Sequence, residues 1–207
     1  MNHEYLPTYS EVIELCKEKT KKSISNWFMY QDETHIYEYL NSDYIDALAK
    51  ILAPYKRILE VGAGNGRLSH FLRQRLPNAF IVATDNGSWG IEPVFPVEKM
   101  EYTEALEKHK PEIVISCWMP YADDWTPEFR GCDSVKGYVL IGETDGGCCG
   151  REDLWFGSDG LEPGYERDGF IRHDLDELRL LQVCRSGYNV LDKWRHSSTV
   201  IFLRRPK

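Results

Sequence analysis

One stretch of the sequence constrains the fold more than any other: a short apolar run that leads into three alternating glycines and then into an amphipathic helix. It reads Ile-Leu-Glu-Val-Gly-Ala-Gly-Asn-Gly-Arg-Leu from Ile58 to Leu68. Glycines at a turn from strand to helix let the backbone approach a ligand closely. The first helical turn offers unpaired amides and the positive end of the helix dipole. The stretch therefore predicts a ligand site at the carboxyl edge of a parallel sheet.

From Arg57 onward, short apolar runs alternate with helical segments, a pattern typical of parallel strands buried on both faces. The predicted strands are 58–61, 80–84, a weaker one at 94–100, 113–117, 138–142, 188–191 and 199–203. The last two runs are close enough for a hairpin, which predicts an antiparallel end to the sheet. We therefore expect an α/β fold with a doubly wound, mostly parallel seven-stranded sheet, an antiparallel last strand and helices on both faces.

Helix-start signals precede the remaining periodic stretches. Thr8 is followed three residues later by Glu11, which is the pattern of a capping box. Pro54 ends the second predicted helix. The residues predicted to cap helices are Thr8, Asn41 or Ser42, Thr126 and Asp174.

No linker, repeat or low-complexity tract divides the chain, so we expect one structural domain. Within it, residues 1–53 form an N-terminal helical extension or lid, and residues 54–207 carry the sheet. Residues 142–169 are irregular and rich in glycine. Such a segment is either a functional loop or a plain surface excursion.

Composition narrows the choice of partners. The 207 residues carry a formal net charge of −8, so no basic surface favours nucleic acid. No apolar run is long enough to span a membrane and the N-terminus lacks the apolar part of a signal peptide, which predicts a cytoplasmic protein without a membrane partner. The six cysteines lack C-x-x-C spacing and the six histidines lack ligand spacing, so we expect reduced thiols and no metal. The oligomeric state is left open.

The ligand of the glycine turn is predicted to be a nucleoside. Asp85 ends the second predicted strand, where an acid accepts hydrogen bonds from both ribose hydroxyls. A dinucleotide fingerprint needs glycines at its first, third and sixth positions. Here the glycines occupy the first, third and fifth positions, and Arg67 stands at the sixth, which argues against a nicotinamide dinucleotide.

The alternating glycines after Glu60 resemble the first motif of class I S-adenosylmethionine-dependent methyltransferases. The resemblance covers roughly residues 55–205, and it implies S-adenosylmethionine as the methyl donor. It also implies that an acid beyond the third strand faces the adenine amino group, for which Glu101 is the candidate and Glu98 the rival. The residues implied at the donor are Glu60, Gly62, Gly64, Gly66, Asp85, Glu101, Cys117 and Trp118.

The segment after the fourth strand resembles a variant of the motif of N-methyltransferases, in which a polar residue and two prolines precede an aromatic residue. Pro120 and Tyr121 fit this motif, whereas Trp118 replaces its polar residue and Met119 its first proline. The departure leaves the acceptor atom open. Trp118, Tyr121 and Trp125 are candidates for aromatic walls beside the sulfonium.

The predicted catalytic residues are Tyr121 and Glu143, which face the acceptor. Methyl transfer from a sulfonium needs mainly positioning, because the donor is already activated. A base is needed only for a protonated amine or a weakly acidic hydroxyl, and Glu143, Asp123 and Asp124 are then the nearest acids by topology.

The sequence therefore predicts a methyltransferase whose acceptor is a small molecule or a protein side chain. One alternative is a non-catalytic protein that binds S-adenosylmethionine as a regulatory module or partner. Another is an oxidoreductase with a nicotinamide cofactor. The aromatic stretch around Trp27, Phe28 and Tyr30 is either a lid over the acceptor or a helix packed against the sheet edge.

Overall fold

The computed structural model describes residues 3–21, 36–143, 147–151, 153–156, 162–184 and 197–206. The described strands form one seven-stranded sheet in the order β3-β2-β1-β4-β5-β7-β6. They are β1 (Arg57–Val61), β2 (Phe80–Asp85), β3 (Glu98–Lys99), β4 (Ile113–Cys117), β5 (Gly137–Glu143), β6 (Phe170–Asp174) and β7 (Ser197–Arg204). Strands β1 to β5 are parallel, and β7 runs antiparallel to both β5 and β6. The predicted fold class is confirmed.

Helices cover both faces of the sheet. They are α1 (Tyr9–Thr20), α2 (Ser42–Leu52), α3 (Arg67–Arg75), α4 (Tyr102–His109), α5 (Thr126–Gly131), α6 (Asp153–Phe156), α7 (Gly164–Arg167) and α8 (Asp176–Arg179). Alternate residues of β1 point to opposite faces: Ile58 packs in the core with Leu48 of α2, and Leu59 packs in the core with Leu106 of α4. The two cores explain why the strands read as continuous apolar runs.

The N-terminal helices begin where the sequence predicts. The Thr8 hydroxyl accepts a hydrogen bond from the Glu11 amide, and the Glu11 carboxylate accepts one from the Thr8 amide. The Asn41 side chain accepts from the Tyr44 amide. Among the described residues, no helix has the length and apolar character needed to cross a membrane.

Two other predicted helix caps are wrong. Thr126 lies inside α5, and the Asp124 carboxylate accepts from both its amide and its hydroxyl. Asp174 belongs to β6, and α8 starts after Leu175 without a side-chain cap. Thr126 is instead bonded to Asp124 two residues earlier, and Asp174 is taken into the pairing of β6 with β7.

The predicted C-terminal hairpin is also wrong. Between Val200 and Leu203, β7 is paired on one edge with β5 and on the other with β6. The strand predicted at 188–191 lies outside the described residues. β6 was not predicted, because only Phe170 of its five residues is buried and this edge strand lacks an apolar run. The antiparallel last strand itself is confirmed.

The topology creates a crevice at one edge of the sheet. Chain order runs outward from β1 to β3 on one side and from β4 to β5 on the other, so the crossovers diverge between β1 and β4. Loops that leave the carboxyl ends of the strands separate at such a switch point and leave room for a ligand. The division into residues 1–53 and 54–207 stays a prediction.

Candidate functional site

A cavity of about 700 Å³ lies at this switch point. Most of the predicted site residues line it, namely Glu60, Gly62, Gly64, Asp85, Glu101, Cys117, Trp118 and Tyr121. Gly66 and Glu143 are not among the residues that line it. The cavity has the size and position of a small-molecule site.

The glycine turn has the backbone conformation that its sequence predicts. Gly62 and Gly64 have φ angles of 65° and 51°, in the left-handed region that residues with a Cβ atom rarely adopt. Gly66 also has a positive φ angle, but a Cβ atom there would meet Val97 at 2.8 Å. Gly66 therefore permits close packing behind the turn, whereas the backbone of Gly62 and Gly64 faces the cavity.

Asp85 accepts two backbone hydrogen bonds, one of them from this turn. Its Oδ2 accepts from the Gly64 amide at 2.8 Å, and its Oδ1 accepts from the Gly87 amide at 2.7 Å. A carboxylate oxygen has two lone pairs, so each oxygen retains capacity for a further donor. The arrangement fixes the carboxylate at the cavity wall, ready to accept two hydroxyl groups.

The structure distinguishes the two acids proposed for the adenine. Glu101 lines the cavity at the start of α4 and accepts a hydrogen bond from the Asn86 amide group at 3.2 Å. Glu98 instead pairs with Lys108 at 2.7 Å and with His109 at 3.1 Å. Glu98 thus forms its ion pairs outside the cavity, and the geometry favours Glu101 as the acid that faces the adenine.

Glu60 is a buried acid that connects the strand before the glycine turn to the helix after it. It is 2% exposed, and its Oε2 accepts from the Ser69 amide at 3.0 Å in the first turns of α3. Burial raises the pKa of Glu60 to about 7. The main role of the Glu60 carboxyl group is therefore to hold α3 against the glycine turn.

The raised pKa of Glu60 predicts a pH dependence of stability. Below pH 4.5, the usual pKa, Glu60 is protonated in both the folded and the unfolded protein. Between pH 4.5 and 7 Glu60 ionises only in the unfolded protein, so its contribution to the free energy of unfolding is lost as pH rises. We expect E60Q to reduce the fall in the free energy of unfolding between pH 5 and pH 8 by about 2 to 3 kcal/mol. Denaturant unfolding at the two pH values measures this. The exposed-acid variant E107Q should keep the wild-type profile, and an E60Q profile equal to wild type would refute the assignment.

The backbone at the end of β4 is strained. Trp118 has a φ angle of 61°, which is unusual for a bulky residue. Its amide donates to the Ile141 carbonyl at 2.8 Å, and its indole N–H donates to Glu38 Oε2 at 3.1 Å. These bonds hold the indole in the cavity wall, where its ring centroid lies 5.6 Å from that of Tyr37.

The predicted acceptor residues occupy different places. Tyr121 lies at the rim of the cavity and is 74% exposed. Glu143 ends β5, where its Oε2 accepts from the Cys148 thiol at 2.9 Å, and Cys148 rather than Glu143 lines the cavity. Asp123 lines the cavity, whereas the Asp124 carboxylate accepts from the Thr126 amide. Their catalytic roles stay predictions.

Glu38 is a cavity residue that the sequence did not predict. This acid is 8% exposed and lines the cavity from the N-terminal extension, next to Tyr37. Its backbone forms an isolated bridge with Cys184. No local pattern marks it, since its side-chain partners, Trp118 and Gln182, are distant in sequence. The aromatic residues Trp27, Phe28 and Tyr30 lie outside the described residues.

Arg67 also lines the cavity. It is 5% exposed at the first position of α3, and its Nη2 donates to the Tyr5 carbonyl at 3.3 Å. A guanidinium thus occupies the position where a dinucleotide fingerprint needs its third glycine. In the part of the chain that the structure describes, no group of acidic, histidine or cysteine side chains has the arrangement of a metal site.

Comparison with known proteins supports the fold. No family model and no curated protein match the sequence. The chain is similar to the solved structure of human N-acetylserotonin methyltransferase in complex with SAM, with a TM-score of 0.50 and 10% identity over 97% of this chain and 63% of that one. The shared fold is that of class I S-adenosylmethionine-dependent methyltransferases, as the resemblance in sequence implied.

Other solved structures are similar at lower scores. An O-methyltransferase family protein from Burkholderia thailandensis has a TM-score of 0.45 and 9% identity over 87% of this chain and 58% of that one. Magnesium protoporphyrin IX methyltransferase from Synechocystis PCC 6803, with bound SAM, has a TM-score of 0.45 and 12% identity over 78% of each chain. The chain spans less than two thirds of the human and the Burkholderia proteins.

Proposed function

We propose that the protein is an S-adenosylmethionine-dependent methyltransferase whose acceptor is a small molecule or a protein side chain. The observation that carries the proposal is the position of Asp85, which is bonded to the Gly64 amide at the wall of the cavity. A glycine turn with an acid fixed beside it suits a ribose, because the acid accepts both hydroxyls while the turn admits the rest of the nucleoside.

The other cavity residues fit the remaining parts of this donor. Glu101 accepts hydrogen bonds, as an adenine amino group requires. Tyr102 and Trp125 line the same part of the cavity with rings stacked 5.1 Å apart, which supplies apolar surface for a base. Cys117 and Trp118, at the end of β4, border the turn on its other side. When bound, S-adenosylmethionine supplies a methyl group already activated by the positive sulfur.

The chain's own residues then position the reactants. The glycine turn and Asp85 hold the nucleoside, and the segment from Cys117 to Tyr121 forms the opposite wall, which shields the reacting atoms from water. The nicotinamide alternative is disfavoured because the buried Arg67 fills the place of the third glycine. No single observation favours the non-catalytic alternative.

Transfer of a labelled methyl group tests the activity. The purified protein is incubated with methyl-labelled S-adenosylmethionine and with separate metabolite and protein fractions of a cell extract. We expect label in one of these fractions with the wild-type chain and none with D85A. Saturable donor binding without label in any fraction would instead support a non-catalytic binding protein.

A further inference from the structure

Glu38 is a buried acid on the cavity wall that the donor assignment does not use. Its Oε2 accepts from the Trp118 indole at 3.1 Å and from the Gln182 amide group at 3.5 Å. Gln182 in turn accepts from the Thr199 hydroxyl at 2.9 Å, and Thr199 bonds to the Tyr44 hydroxyl at 2.7 Å. The chain of bonds fixes the Glu38 carboxyl group at one position.

The groups around Glu38 make its ionised form costly. Burial raises the pKa of Glu38 to about 8, against the opposite effects of its hydrogen bonds to Trp118 and Gln182, and the charge of Glu143 adds a smaller increase. Tyr44 and Cys117 lie close to it, and burial raises the pKa of both, so they stay neutral at physiological pH. A buried carboxylate in such surroundings gains strongly from a cation.

The surroundings of Glu38 also suit an organic cation. The rings of Tyr37 and Trp118 line the cavity beside it, with centroids 5.6 Å apart, and Tyr121 lies at the rim. Aromatic faces attract ammonium groups, most of all where water is excluded. Among the described residues that line the cavity, five are acidic and one, Arg67, is basic. The acids outnumber the base even when the buried Glu38 and Glu60 are protonated, so the cavity as a whole favours positive ligands.

Glu38 lies on the acceptor side of the cavity. Asp85, which ends β2, and Glu101, which follows β3, are the acids that we assign to the nucleoside. Glu38 is bonded to Trp118, which follows β4 on the other side of β1. The glycine turn after β1 thus lies between Glu38 and the two acids that we assign to the nucleoside.

We propose that the methyl acceptor is a basic amine, whose ammonium group binds Glu38 against the ring of Trp118 and gives its proton to the Glu38 carboxylate. This inference rests on the proposed methyltransferase function. An ammonium nitrogen has no lone pair, so it must lose a proton before it attacks a methyl group. Glu38 is then a catalytic base as well as a binding residue.

The step balances without any further reactant. One N–H bond of the ammonium breaks, and its proton forms an O–H bond on Glu38. The nitrogen lone pair forms a bond to the methyl carbon of S-adenosylmethionine. The bond between that carbon and sulfur breaks, and its electron pair stays on sulfur, which becomes a neutral thioether. The product is a methylated ammonium, and the Glu38 proton leaves to solvent as the site opens.

Binding measurements with simple amines test the proposal in place of the unidentified acceptor. The full chain is saturated with S-adenosylhomocysteine and titrated with 2-phenylethylamine, tryptamine, histamine and n-butylamine, each beside the alcohol of the same carbon skeleton. We expect at least one amine to bind about tenfold or more tightly than its alcohol. Titration at pH 7 in two buffers of different ionisation enthalpy should show proton release, because the ammonium binds the ionised form of Glu38.

The E38Q variant completes the test. Glutamine keeps an oxygen that accepts from Trp118 but lacks the charge, so E38Q should abolish the preference for the amine and the proton release. Its affinity for S-adenosylhomocysteine should stay within about threefold of wild type, and the exposed-acid control E107Q should behave as wild type.

Each of the other outcomes overturns one part of the account. If no amine binds better than its alcohol, or if E38Q keeps the preference, the assignment of the acceptor is wrong. If E38Q instead weakens S-adenosylhomocysteine strongly, Glu38 binds the ammonium group of the donor and not an acceptor. If wild type fails to bind S-adenosylhomocysteine, the proposed function fails, whatever the amines do.

Discussion

Replacing Asp85 by alanine is expected to weaken the binding of S-adenosylhomocysteine by about 100-fold or more. The variant removes both acceptor oxygens for the ribose hydroxyls, and hydrogen bonds to a charged group contribute about 1.5 to 3 kcal/mol each. It also frees the Gly64 and Gly87 amides, which Asp85 now holds at 2.8 and 2.7 Å. Calorimetric titration of the variant against wild type measures the loss.

The control for this experiment is D133A. Asp133 is exposed between α5 and β5, away from the cavity. Its removal should leave the affinity within about twofold of wild type, and both variants should show wild-type circular dichroism. An unchanged affinity in folded D85A would remove Asp85 from the donor site.

The second large effect is expected for Gly142→Ala. Gly142 has a φ angle of 141°, and a Cβ atom there would lie 2.5 Å from the Cys149 sulfur. Strain and overpacking of this kind each cost about 1 to 3 kcal/mol. We expect a loss of about 3 kcal/mol, which lowers the melting temperature by roughly 6 to 12 °C in a domain of this size.

Gly131→Ala is the matched control for Gly142→Ala. Gly131 ends α5, and a Cβ atom there would meet nothing within 4 Å. Alanine in place of glycine at a compatible helical position stabilises by about 0.4 to 1 kcal/mol. Thermal unfolding of the two variants should therefore move in opposite directions. A Gly142→Ala protein as stable as wild type would show that Cys149 and its neighbours adapt more than their packing implies.

The strands at the centre of the sheet were predictable from sequence because burial on both faces requires a continuous run of apolar residues. Strands such as β1 and β4 consist almost wholly of buried residues, so their runs stand out against the amphipathic helices. The strands at the two edges of the sheet lack such runs. β3 has only two residues, and β6 buries a single phenylalanine, so polar edge strands resemble loops.

The glycine turn was likewise predictable, because positive φ angles strongly favour glycine and this preference is local. What the pattern did not distinguish was the purpose of each glycine. Gly62 and Gly64 face the cavity, whereas Gly66 makes room for Val97, a residue that the chain brings there from the segment before β3. Packing against distant residues is invisible in a local motif.

The role of Glu38 in the candidate site was likewise not predictable, because its side-chain partners are distant in sequence. Its bond to Trp118 joins residues 80 positions apart, and its bond to Gln182 joins residues 144 positions apart. Sequence alone presents it as one acid between two tyrosines. Its burial and its place in the cavity come from the fold, which brings the N-terminal extension to the end of β4.

Calorimetric titration of the wild-type protein with S-adenosylhomocysteine tests the central claim most directly, because the product of the donor binds without any acceptor. We expect saturable binding with one site per chain, and no competition from reduced nicotinamide dinucleotide. A folded protein that gives no heat of binding up to millimolar concentration, or that binds the nicotinamide dinucleotide instead, would contradict the assignment of the cavity to S-adenosylmethionine.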